Sequence, residues 1–339
     1  MTNTIKKHTR KTLYILCAMS VLFPSALHGN VVKEHEPARN MVWKGKIERH
    51  TAFLADSICQ GRATGTRGGT EAAFHVLKQF RKAGLIPFDS TFVKHFYAGK
   101  GTVGHNIIGM HPGSKKKPCE KYVIVGAHYD HLGNLEGNFY PGADANASGT
   151  VALTCLADMF SAMKTIGKSY GSNIIFAAFD AKEMNMAGSE ALWKMIENGE
   201  LNDPLSGKPV TPDKISLMVN IDQIGCTLSP IQKGREDYMI MLGTHTLPRE
   251  KRDALMLCNR MYSIDMHIGL DYYGSDSFTR IFYGLSDQKV FADHGIPAVM
   301  FTSGITMNTN RTRDTADTLS PEIMTKRIWL IYHWLTKML

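Results

Sequence analysis

From residue 43 onward, short apolar runs alternate with longer segments whose apolar residues recur at helical spacing. Runs at 103–110, 122–127, 173–179, 215–221, 238–242 and 297–301 are too short for helices and rich in Val, Ile and Phe. They read as buried strands. Helical patterns cover 43–59, 70–83, 148–163, 187–198, 249–261, 275–283, 288–294 and 321–338. The last is the best signed. Ser320 stands at its cap, Pro321 takes the first position, and Met324, Ile328, Ile331, Leu335 and Met338 form one apolar stripe. Strand and helix in alternation predict an α/β three-layer sandwich, with a twisted, mostly parallel mixed sheet and helices on both faces. No boundary interrupts residues 43–339, which are expected to form a single domain. Residues 30–42 are expected to be a flexible leader.

The first 29 residues carry a different pattern. Lys6, Lys7, Arg10 and Lys11 precede an apolar run from Leu13 to Phe23, and Ser25, Ala26 and Gly29 follow. Basic, then apolar, then small is the order of a secretory signal peptide, and the run is too short for a membrane span. The expected product is an exported protein, periplasmic or secreted, without a stable membrane span. Cleavage near Gly29 removes four basic and no acidic residues, so the formal charge falls from +8 to +4. That excess gives no case for nucleic acid. The run Lys115-Lys116-Lys117 beside Gly113 and Pro118 reads as a solvated turn. Five cysteines remain after cleavage, without CxxC spacing, and no disulfide is predicted.

The chemistry gathers at strand ends. The run at 122–127 leads into His128, Asp130 and His131, and Asp144 stands in the loop before the next helix. The run at 173–179 leads into Asp180-Ala181-Lys182-Glu183, and that at 215–221 into Asp222. A lone Asp at a strand end is more often a helix cap than a ligand. Several carboxylates at one sheet edge repel one another unless a cation offsets them. One imidazole with carboxylates suits zinc or a similar divalent ion. Two other chemistries fall away. The glycine-rich loop 60–69 lacks the Gly-Lys-Ser/Thr ending of a phosphate cradle, and no serine sits in a GxSxG elbow.

The segments AHYDHLG, PGADANASG, FDAKEMNMAGS, VNID and GIPAVMFTSG with its DTADT ending resemble those of the zinc aminopeptidases of peptidase family M28, which also has relatives among the glutaminyl cyclases. The resemblance runs in order over nearly the whole chain after residue 43. It implies a phosphorylase/hydrolase-like zinc exopeptidase fold and hydrolysis of N-terminal residues from peptides. It also implies site roles. His128 and Asp222 would hold one metal, Asp144 would bridge, and Glu183 would hold a second. Asp130 would orient the His128 imidazole.

Two positions depart from the family pattern. Lys182 stands where the family has the Glu that serves as general base, and Asn310 stands where it has a His ligand of the second metal. Lysine, with a reference pKa of ~10.4, is a cation near neutrality. Gln288 also stands where the family often has His. The surviving ligands imply one zinc ion rather than two, or a metal-free site in which Lys182 supplies the missing charge. Peptides are the expected partners. The chain is then either a metallo-aminopeptidase using one metal or a non-catalytic, peptide- or partner-binding homologue. A glutaminyl-cyclase-like acyl transferase is the third reading, and it needs the His that Asn310 replaces.

Overall fold

The computed structural model describes residues 34–99, 101–114 and 119–339. The signal peptide expected at 1–29 and the Lys115–Lys117 turn lie outside the described residues.

The strands are β1 Ile86–Pro87, β2 Val93–Gly99, β3 Thr102–His111, β4 Tyr122–His128, β5 Gly133–Leu135, β6 Asn138–Tyr140, β7 Asn173–Phe179, β8 Ile215–Ile221, β9 Tyr238–Leu242, β10 His267–Gly269 and β11 Ala298–Thr302. The helices are α1 Glu36–Arg39, α2 Lys44–Ala55, α3 Arg67–Lys82, α4 Gly149–Thr165, α5 Ala187–Glu197, α6 Arg249–Met261, α7 Asp276–Tyr283, α8 Gln288–Asp293 and α9 Pro321–Met338. Among the described residues, the main sheet runs β1-β3-β7-β4-β8-β11-β9-β10, with β2 also paired to β3. Neighbours within β7-β4-β8-β11 are parallel, while β3 and β9 run antiparallel to the strands they flank. This is the expected mixed sheet with a parallel centre.

The central strands explain why the apolar runs were continuous. Every residue of β4 and β7 is buried, because helices cover both faces. Val123, Val125, Phe176 and Val219 point into the core shared with α2, α3, α4, α6 and α9. Ile124, Ile175 and Met218 point the other way, to α5 and α8. The stripe on α9 is buried from Met324 to Met338. The five described cysteines are free thiols. No helix among the described residues is long and apolar enough to cross a membrane.

Three outcomes differ from the sequence reading. Residues 34–42 are docked, not loose. Ala38 and Val42 are buried, α1 packs on α4, and His35 Nδ1 lies 3.0 Å from the Tyr332 hydroxyl. The polar run Glu34-His35-Glu36 hid the two small apolar contacts that anchor it. The strands β1, β2, β5, β6 and β10 were not foreseen, since they are short or line an edge. The first long helix stops at Ala55 instead of Cys59, because residues 57–62 turn into a tighter helix capped by the Asp56 carboxylate on the Ile58 N–H.

Parallel strands need not align chemistry, but here they do. The carboxyl ends of β4, β7, β8 and β11 lie side by side, so the segments following them meet at one edge.

Burial also sets a pH dependence. His50, His75 and His111 are each pushed down to about 4, in every case chiefly by burial. The unfolded chain takes up protons near pH 6.5 that the folded chain refuses, so stability falls as pH drops from about 6.5 to about 4. His111, packed against Phe160 and Tyr170, accounts for up to about 3 kcal/mol of this loss. Denaturant midpoints measured across this range should flatten in His111→Leu. An unchanged slope would contradict the assignment.

Candidate active site

His128 ends β4 and is fully buried. Its Nε2 lies 3.5 Å from Asp222 Oδ1, and its Nδ1 lies 3.1 Å from the Asp130 carbonyl and 3.4 Å from Asp130 Oδ1. Asp222 follows β8, and its Oδ2 accepts the Ser286 hydroxyl at 2.6 Å. Asp130 uses both carboxylate oxygens on the turn after β7, accepting the Lys182 N–H and the Glu183 N–H at 3.0 Å each. That turn carries Lys182 Nζ to 3.2 Å from Glu183 Oε1. His128, Asp130, Lys182, Glu183 and Asp222 therefore form one connected set drawn from three adjacent strand ends.

The electrostatics follow from burial and pairing. For His128, burial opposes the charged form, but Asp222 and Asp130 outweigh it and push the imidazole up to about 10. For Asp222, burial again opposes charge, and His128 and Lys182 reverse it, holding the carboxyl well below the usual range. Burial alone would lower Lys182. Asp222, Glu183 and Asp130 overcome it and raise the ammonium above its ordinary value.

Asp144 sits deeper. Its Oδ1 accepts the Gly225 N–H at 2.7 Å and the Cys226 N–H at 3.3 Å, and the Ser148 hydroxyl lies 3.1 Å away. Ser148, at the start of the helical pattern 148–163, makes no side-chain cap there and serves Asp144 instead. Gly225 is required by this approach, since a Cβ there would come within 2.9 Å of the same carboxylate oxygen. Burial pushes the Asp144 carboxyl up. Asp314, from the DTADT ending, holds the segment by accepting the N–H groups of Asp144 at 2.8 Å and Ala145 at 3.0 Å.

Lys182, Asp222 and Asn310 line a common cavity of about 120 Å³ together with Tyr272, Phe282, Leu285, Met300 and Ile305. Asn310 thus reaches the hollow. Gln288 does not line it. It is buried behind, with Oε1 accepting the Asn220 amide at 2.8 Å.

Some structural residues escaped the sequence reading. Arg62, in the glycine-rich loop, is wholly buried and donates to the carbonyls of Tyr129, Leu54, Pro141 and Gly142 at 2.6–2.7 Å. It ties the loops around His128 and Asp144 together. Arg327 does the same from α9, donating to Ile224, Cys226 and Tyr238 carbonyls at 2.8 Å. Asp180 accepts the Thr64 hydroxyl and the His105 N–H. A buried arginine gives no sequence signal of its own. Asp180 and Asp314 lay inside quoted motifs and could have been marked as loop holders.

The donor set can be tested for a metal. Among the described buried atoms without a hydrogen-bond partner are His128 Nε2 and Asp144 Oδ2, two atoms of the kind a divalent ion takes up. Around Glu183 the fit fails, because its carboxylate is engaged by Lys182 and the Asn310 amide is a poor zinc ligand. No group of three or more His, Cys, Asp or Glu side chains among the described residues is already gathered to hold a metal ion. The side chains suit one cation at most.

Comparison with known proteins agrees with this architecture. The model of peptidase family M28 matches residues 106–335, well over half of the chain. The chain belongs to peptidase family M28. Among solved structures, the LapA aminopeptidase of Legionella pneumophila superposes with a TM-score of 0.66 at 17% identity, covering 90% of this chain and 74% of that one. A zinc aminopeptidase from Bacillus subtilis gives 0.62 at 13% identity, covering 86% and 94%. The glutaminyl cyclase of Fimbriiglobus ruber gives 0.66 at 17% identity, covering 87% and 95%. At these identities the likeness shows the shared fold. No curated protein sequence matches the chain.

The turn after β7 depends on Asp130. Asp130→Ala would leave two backbone N–H groups without their acceptors and should cost about 2–4 kcal/mol in a denaturant titration. Asp130→Asn, which keeps one acceptor oxygen, should lose about half as much. Equal stability of all three proteins would show that the carboxylate does not hold the turn.

Proposed function

We propose that this protein is an exported exopeptidase homologue that holds peptide ends in the Lys182–Asp222–Asn310 cavity and in which peptide hydrolysis is suppressed. The observation that carries this reading is the ion pair of Lys182 with Glu183 at 3.2 Å. An ammonium held by a carboxylate cannot take a proton from water, so the side chain at the general-base position offers a donor and no base. The same pairing supplies a positive charge beside Glu183, where a second metal would otherwise be needed.

His128, Asp144 and Asp222 are the residues that would hold a single zinc ion. Bound there, the ion would supply Lewis-acid polarisation of a carbonyl. Asp130 keeps the neighbouring turn in place, and the Ser286 hydroxyl fixes the Asp222 carboxylate. A second reading, a working aminopeptidase that uses one cation, is favoured by His128 Nε2 and Asp144 Oδ2, buried atoms that make no hydrogen bond. The glutaminyl-cyclase reading gains the shared fold but no side chain at Asn310 to support it.

The two readings separate on metal content and turnover. With zinc supplied, the purified mature protein should carry no more than one ion per chain by atomic emission and show no turnover of leucine p-nitroanilide above background. Lys182→Glu combined with Asn310→His should bind a second ion and raise turnover by about 10²–10⁴-fold, the usual range for restoring a general base. Zinc-dependent turnover by the unmodified protein would decide for the one-cation enzyme.

A further inference from the structure

The cavity also bears on which end of a peptide it takes, an inference that rests on the reading just given. Its two charged lining groups are unequal. Asp222 is already engaged, through Oδ2 by the Ser286 hydroxyl at 2.6 Å and through Oδ1 by His128 Nε2 at 3.5 Å. Lys182 has three N–H donors, and among them one is directed at Glu183 at 3.2 Å. Gln223 also lines the cavity, and its Oε1 accepts the Thr309 hydroxyl at 2.9 Å. Asn310 adds a further amide. The polar end thus carries several donors, and its one carboxylate is charge-paired with the His128 imidazole. Arg311 and Arg313 follow on the same loop and add positive charge outside. Much of the remaining lining is apolar.

From this arrangement we infer that the cavity binds the carboxylate-bearing end of an apolar amino-acid residue, with the carboxylate on Lys182 and the side chain against Tyr272, Phe282 and Met300. A free α-ammonium placed there meets the Lys182 ammonium, and the carboxylate beside it, Asp222, is already paired with the His128 imidazole. A carboxylate gains charge-assisted hydrogen bonds from the same group. The ligand could come as a single blocked amino acid or as a peptide C-terminus, and both present this chemistry.

Isothermal titration of the mature protein with four probes tests the inference. Acetyl-leucine and acetyl-Ala-Ala-Leu have free carboxylates and blocked amines. Leucinamide and Leu-Ala-Ala-amide have the reverse. The carboxylate probes should bind at least about tenfold more tightly than their counterparts, an ordinary margin for one charge-assisted contact. Their relative strengths tell a single residue from a chain end. Lys182→Met, checked for folding by its thermal melt, should remove the preference, and the comparison on the unmodified protein stands even if that variant fails to fold. Equal binding, or preference for the amine probes, overturns the inference and leaves the peptide-binding reading intact. Binding of none of the four overturns both.

Discussion

The site is governed by a balance of buried charge. Asp130, Glu183 and Asp222 are brought together at the ends of three neighbouring strands, and carboxylates in such proximity need cations to stay ionised. Two cations are built in. The His128 imidazole answers Asp222, and the Lys182 ammonium answers Glu183. The pairings are why burial fails to neutralise Asp222, His128 or Lys182. The parallel strands β7-β4-β8 supply the frame, and backbone N–H groups on Asp130 fix the Lys182 turn within it.

In the proposed reading, this balance sets the chain apart from a two-metal site while the fold stays the same. A lysine costs nothing in topology. In that reading it changes what the edge of the sheet can do, since a fixed ammonium stands in for both a removable cation and a proton acceptor. Asn310 is consistent with that change, as a neutral amide needs no metal beside it. The buried arginines Arg62 and Arg327 keep the surrounding loops in place regardless of metal, each by donating to several main-chain carbonyls. The scaffold is therefore held by contacts that do not depend on a metal.

Much of this was legible in the sequence because it depends on short-range pattern. Runs such as 173–179 and 215–221 match β7 and β8 residue for residue, since a strand covered on both faces is mostly apolar along its length. The helix α9 is read equally well from its cap, its proline and its stripe. The site residues His128, Lys182, Glu183 and Asp222 were marked by their place after those runs. What was not legible depends on distant contacts. The docking of residues 34–42 rests on Ala38 and Val42 meeting α4, more than a hundred residues away. The role of Arg62 depends on carbonyls from two separate loops and the end of α2. The engagement of Ser148 with Asp144, in place of a helix cap, required the particular fold of the loop before α4.

The central claim is that Lys182 fills the place of a second cation. Zinc-edge anomalous diffraction from crystals of the mature protein grown with zinc tests it most directly. The account predicts at most one peak, beside His128 and Asp222, with the Lys182 ammonium still paired to Glu183. Two peaks about 3.5–4 Å apart, the spacing of a two-metal site, with Lys182 turned to solvent, would contradict it.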